Sequence, residues 1–285
     1  MNTSINVVRL AHVGLRVDNV DRSSEFYADR WGLDLAEEHE GHRYFRADSP
    51  DSHAVVLSEG APDLDHIAFV VESSDDLGRA EEALGMRGLP VEVPPTRDLE
   101  PGVGAALRFR DPSGVLVELV TDLEVRTDGY GTRDVKPLGL DHVVLRVPDY
   151  DASREFYENV LGFRLSDETE NLMAFMRCNA NHHSLALIRS ENPAPSMHHT
   201  AFTVEDWAAL ANGVKVLGDA GVSRVWGPGR HGPGNNLFSY FFDPDQHIVE
   251  YTCEVLRVDD STWVPRVWPP GRPEQWGTPM PAAMR

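Results

Sequence analysis

Three residues of this 285-residue chain combine the side chains and the surroundings that hold a metal ion: His142, His199 and Glu250. Each lies in an apolar run read as a strand. Val143-Val144-Leu145 follows His142, Thr200-Ala201-Phe202 follows His199, and Ile248-Val249 leads into Glu250. A carboxylate lodged among such neighbours is unfavourable unless it is paired or bound to a metal. The plainer alternative is that the histidines are hydrogen-bonded core residues and Glu250 pairs with an arginine. Three such positions in register oppose that alternative. Two imidazoles and one carboxylate fill one face of an octahedral Fe(II) and leave its other positions open.

The elements that position these residues follow from an internal repeat. Leu10-Ala11-His12-Val13-Gly14-Leu15-Arg16-Val17 returns as Leu140-Asp141-His142-Val143-Val144-Leu145-Arg146-Val147, and Ser24-Glu25-Phe26-Tyr27 returns as Arg154-Glu155-Phe156-Tyr157. The pairs His12/His142, His66/His199 and Glu118/Glu250 are separated by 130, 133 and 132 residues, a near-constant shift that means duplication. Each half divides again. A period-2 strand leads into a helix marked by Asp151 and Ser153, then into short strands at 172–177 and 184–188. A second helix at 74–88 carries Leu77, Ala80 and Leu84, and a third carries Trp207, Leu210, Val214 and Leu217 before Gly221. The expected fold is α+β: four βαβββ modules in two domains. Residues 1–124 form the first domain, 125–137 a linker and 138–257 the second domain with the metal site. Residues 258–285 form a Trp/Pro-rich tail.

Composition narrows the function. With 26 Lys+Arg against 46 Asp+Glu, the net charge of −20 repels phosphate backbones and anionic lipid, so neither nucleic acid nor membrane is an expected partner. Two cysteines exclude a disulfide framework and fit a cytoplasmic location, and the opening residues lack the basic and apolar regions of a leader.

These motifs resemble the vicinal oxygen chelate superfamily over roughly residues 7–257, and the second half is similar to the type I extradiol ring-cleaving catechol dioxygenases. The most specific stretch runs from Gly227-Pro228-Gly229-Arg230-His231 through Tyr240 to Glu250, with spacings of nine and ten residues. The resemblance implies the glyoxalase/bleomycin resistance/extradiol dioxygenase fold. It implies His142, His199 and Glu250 as ligands of Fe(II), with Mn(II) also suited, and catechol and dioxygen as substrates in a homo-oligomer. His183, with His182 as its competitor, matches the acid–base histidine. His231 and Tyr240 match groups that hydrogen-bond the bound catechol. The product would be of the hydroxymuconic semialdehyde type.

Phe175, Asn181, Trp226 and Asn235 are expected at the substrate pocket together with the Trp/Pro-rich tail, for which an oligomer contact or a disordered end are the alternatives. Trp226 stands where some relatives that cleave carboxylated catechols carry an arginine, which points to an uncharged alkyl-, aryl- or fused-ring substituent. The first half keeps His12, His66 and Glu118, and His53 falls where His183 falls, yet Arg108 replaces the tyrosine and Arg97-Asp98-Leu99-Glu100-Pro101 stands where the loop histidine would be. It is read as structural, with a vestigial or second metal site as the exception. Two alternatives stay open: a metal-dependent isomerase or lyase on the same modules, or a metal-free protein that sequesters an aromatic drug.

Overall fold

The computed structural model describes residues 5–97, 99–271 and 273–284. Residues 1–4, on which most of the reading about a leader rests, lie outside the described residues. Each quarter of the chain has the order strand, helix, three strands. The first comprises β1 (Val7–Val17), α1 (Val20–Glu25, continued by a π-helical turn over Phe26–Arg30), β2 (Asp34–His39), β3 (His42–Arg46) and β4 (Val55–Glu59). The second comprises β5 (Asp63–Val71), α2 (Ser74–Arg87), β6 (Val91–Arg97), β7 (Val103–Arg110) and β8 (Leu116–Leu123). The third comprises β9 (Gly139–Val147), α3 (Tyr150–Asn159), β10 (Arg164–Thr169), β11 (Met173–Arg177) and β12 (Leu185–Arg189). The fourth comprises β13 (Ser196–Thr203), α4 (Trp207–Asp219), β14 (Arg224–His231), β15 (Leu237–Phe242) and β16 (Ile248–Cys253). Among the described residues no helix is long and apolar enough to cross a membrane.

Local chemistry sets the helix ends. Ser73 and Asp76 form a capping box at the start of α2, and Gly88 closes that helix with φ at +65°, a left-handed conformation that glycine adopts without strain. Asp206 caps α4 by accepting from the backbone amide of Ala209 at 2.8 Å. The start of α3 differs from expectation. Asp149 is its N-cap, and Asp151 and Ser153 already lie inside the helix.

The modules pair to give two sheets. The first has eight strands in the order β2-β3-β4-β1-β5-β8-β7-β6. The second repeats this order around β9 and β13 and gains a strand at each edge: β17 (Arg266–Trp268) runs parallel to β10, and β18 (Glu274–Trp276) runs antiparallel to β14. The C-terminal segment is therefore more than a tail. It is a strap that joins both edges of the second sheet.

One apolar core crosses the boundary between the halves. The repeated kernels make that boundary reciprocal: the Tyr27 hydroxyl donates to Asp243 at 3.1 Å, and the Tyr157 hydroxyl donates to Asp111 at 3.1 Å. Each helix tyrosine thus reaches the Asp-Pro turn of the opposite half. Trp31 is buried at the same boundary, stacked on Tyr251 at 3.8 Å between centroids and edge-on to Phe202 and Phe241. Trp31→Ala should destabilise the fold by about 3–5 kcal/mol, the scale for removing a buried large aromatic. Trp207→Ala, at a side chain 41% exposed, should lower stability by less than about 1 kcal/mol. Urea unfolding midpoints of the two variants check this ranking.

Candidate active site

The sheet register brings the three candidate ligands together. Ala201 on β13 lies opposite His142 on β9 and opposite Glu250 on β16, while His199 is two residues from Ala201 and shares its face. The small Ala201 side chain leaves the space between them open. His142 Nε2 lies 3.3 Å from Glu250 Oε2, His199 Nε2 lies 3.2 Å from the same oxygen, and the two imidazole nitrogens are 3.3 Å apart. Ligands about 2.1 Å from one ion stand roughly 3.0–3.4 Å from each other, so these separations suit a shared divalent cation.

The surroundings fix how each ligand faces. Asp141 accepts from His142 Nδ1 at 2.6 Å and leaves Nε2 to the common point. His198 Nε2 donates to the Met284 carbonyl at 2.9 Å, and its Nδ1 lies 2.6 Å from His199 Nδ1. The carbonyl can only accept, so His198 carries its proton on Nε2 and takes the Nδ1 proton of His199 into a hydrogen bond. His199 Nε2 is then also a free lone pair. Glu250 is fully buried; the Asn236 amide reaches Oε1 at 3.4 Å, and Oε2 has no hydrogen-bond partner. That orphaned oxygen, with two lone-pair nitrogens beside it, fits a metal. Burial opposes charge on His142, but Asp141 and Glu250 outweigh it and raise its pKa to about 9. The field at this point favours a positive charge.

The remaining residues line one cavity over the triad. His183 packs on His142 with ring centroids 4.2 Å apart. Its Nδ1 is 3.1 Å from Nδ1 of His182, whose Nε2 faces Asp167 at 3.2 Å, so His182 stands behind His183 and away from the cavity. His231 Nε2 and the Tyr240 hydroxyl share a 2.8 Å hydrogen bond. Burial and the neighbouring imidazoles push the pKa of His183 far down, burial takes His231 down to about 4, and burial with Glu250 drives the Tyr240 phenol well above its ordinary value. All three are neutral near pH 7. Phe175 and Trp226 line the wall, and Trp226 stacks parallel to Tyr240.

Two expected pocket residues lie elsewhere. Asn181 accepts from Arg257 at 3.1 Å, outside the cavity. Asn235 sits at φ +53° and accepts from Gln275 at 2.8 Å, and its neighbour Asn236 faces inward instead. The Trp/Pro-rich tail supplies Trp268, Pro273, Met280 and Met284 to the wall, and its pairing with both sheet edges is what the sequence does not show. Reading the sequence also missed Arg146, the single guanidinium among the described lining residues. Period-2 counting from His142 through Val144 would have found it.

The family follows from these features. A model described as the Glyoxalase/Bleomycin resistance protein/Dioxygenase superfamily matches residues 9–119 and 139–251, and the chain belongs to that superfamily. Within it, the chain is 29% identical over 267 residues to the metapyrocatechase of Pseudomonas sp. (strain CF600), covering 87% of this chain and 86% of that protein. Two solved structures are similar over 99% of the chain. One is the Mn(II)-bound glyoxalase from Novosphingobium aromaticivorans, 32% identical, with a TM-score of 0.91 over 95% of its own chain. The other is homoprotocatechuate 2,3-dioxygenase from Brevibacterium fuscum in an anaerobic complex with 3,4-dihydroxyphenylacetate, 27% identical, with a TM-score of 0.90 over 92% of its chain.

Asp141 touches the proposed metal only through His142. Asp141→Asn should therefore weaken metal affinity by about 10- to 100-fold without unfolding the protein. Titration of the metal-free protein, with circular dichroism as the control for folding, measures the effect.

Proposed function

We propose that this chain is an extradiol ring-cleaving dioxygenase, an oxidoreductase that inserts both atoms of dioxygen into a catechol beside its paired hydroxyls. The product is a hydroxymuconic semialdehyde-type compound, and the cofactor is divalent iron or manganese. One observation carries the reading: a two-histidine, one-carboxylate face shares its cavity with His183 and with the His231–Tyr240 pair. An isomerase of the same superfamily would need the metal but not this surrounding set. A metal-free sequestering protein would need neither.

A metal held by His142, His199 and Glu250 would bind the catechol oxygens, acidify the catechol hydroxyls and bring dioxygen to the ring. The chain's own groups do the rest. His183 is neutral, with Nδ1 turned to His182, so Nε2 can take a hydroxyl proton and later return it where a bond to oxygen breaks. Tyr240 stays protonated and can donate to a catecholate oxygen, and His231 fixes its hydroxyl. Phe175, Trp226, Met280 and Met284 exclude water from the ring.

His183→Asn should leave metal content near that of the wild type while kcat falls by about 10²–10⁴. Metal analysis beside oxygen uptake measures both, and loss of the metal would make His183 a ligand instead.

For substrate, the apolar wall around Trp226 supports a catechol with an uncharged alkyl, aryl or fused-ring substituent. Arg146 favours a second reading, an anionic substituent extending along β9 away from His142. Oxygen uptake and the appearance of yellow ring-opened product across a catechol panel test activity and substrate together. Uncharged catechols should exceed 3,4-dihydroxyphenylacetate by at least about tenfold in kcat/KM, because a carboxylate buried beside Trp226 lacks a partner. The reverse order would favour the Arg146 reading, and no oxygen uptake with any catechol would overturn the function.

A further inference from the structure

The first half carries a second cluster that the proposed reaction does not use. Ala68 on β5 lies opposite His12 on β1 and opposite Glu118 on β8, and His66 is two residues along, the same register as in the second half. His12 Nε2 and His66 Nε2 are 3.0 Å apart, and they lie 3.4 and 3.6 Å from Glu118 Oε2. Here a fourth donor joins. Glu100, from the turn before β7, places Oε2 3.2 Å from His12 Nε2. All four side chains are at most 7% exposed.

His12 and His66 can share one hydrogen bond, but two carboxylate oxygens of the cluster are left without one among the described residues. Glu100 Oε2 and Glu118 Oε1 have no hydrogen-bond partner, so the imidazole contacts of Glu100 Oε2 are near in distance and wrong in direction for N–H···O bonds. Glu100 Oε2 matches Glu250 Oε2 of the second half in this respect, whereas Glu118 turns Oε2 to the histidines and to Arg108 and leaves Oε1 orphaned. Orientation is fixed similarly, because Asp65 accepts from His66 Nδ1 at 2.9 Å and leaves Nε2 facing the cluster. Gly14 makes room for that ring, since a Cβ there would stand 2.4 Å from it. Arg108 binds Glu100 and lies 3.4 Å from Glu118 Oε2, on the side where the second half has Tyr240 and its cavity.

We propose that His12, His66, Glu100 and Glu118 form a second, closed metal site that takes a zinc-class divalent cation in a tetrahedral shell. Its role is structural. Four of the donor separations are 3.0–3.6 Å and suit ligands about 2.0–2.1 Å from a central ion; His66 Nε2 stands 3.8 Å from Glu100 Oε1, the longest of those measured, and four protein donors leave no position for a substrate. Two carboxylates balance the charge of the ion, and Arg108 holds Glu100 in place and covers the outer side. The rival arrangement keeps Arg108 and a protonated imidazole as the only cations and binds no metal.

Metal counting on the full chain decides between them. Chelator-stripped protein, reconstituted with Zn(II) and passed through gel filtration, should hold about two equivalents per chain. Glu250→Gln should hold one, in the first half, and a chelator should then lower its Tm. Glu100→Gln should also hold one, with iron-supported oxygen uptake within about threefold of wild type, because Glu100 is remote from the catalytic cavity. One equivalent in the wild type, none in Glu250→Gln, or two in Glu100→Gln would overturn the second site. If Glu100→Gln does not fold, the wild type and Glu250→Gln still give the answer.

Discussion

A fully buried carboxylate in the middle of a β-sheet is the constraint around which this molecule is arranged. Glu250 is sealed from water, with the Asn236 amide 3.4 Å from one of its oxygens. Left uncompensated, such a charge would be unfavourable by several kcal/mol, more than most single contacts contribute. The compensation has to come from neighbouring strands, which fixes β9 and β13 beside β16 and fixes their register. It also accounts for Ala201, since a larger side chain there would fill the space that the ligands share. Asp141 and His198 follow from the same need, because each turns an imidazole lone pair inward.

Duplication placed this solution in both halves and then let them diverge. In the second, the sheet opens over the triad into a cavity with neutral acid–base and hydrogen-bonding groups. In the first, Glu100 and Arg108 close the corresponding space. The halves still depend on each other structurally, because Tyr27 and Tyr157 each bond the Asp-Pro turn of the opposite half and Trp31 is packed against Tyr251. A catalytic half with its own core would not require those contacts.

Much of this was legible in the sequence because the decisive spacings are local or repeated. His142, Val144 and Arg146 alternate with core residues at the period of a strand, and the duplication ties His199 and Glu250 to His66 and Glu118. What escaped reading depends on contacts between distant segments. Asn181 lies outside the cavity with its side chain held by Arg257, and at Asn235 a left-handed backbone leaves Asn236 facing inward instead. Glu100 falls where the loop histidine of the second half falls, and the change from imidazole to carboxylate gives no sign in the sequence that it reaches His12. The strap carries no apolar period, and its two strands exist only through pairing with β10 and β14.

The strap also links two properties that are usually separable. Met280, Met284 and Trp268 wall the substrate cavity, and the Met284 carbonyl anchors His198, which orients His199. Trp268 reaches the other side of the site as well, donating to Asp167 at 2.8 Å, next to His182. Sequence drift that reshapes this wall for a bulkier ring therefore acts on the orientation of a metal ligand at the same moment. Substrate range and metal retention must evolve together here, and changes that enlarge the cavity while leaving the Met284 backbone in place are the ones open to it.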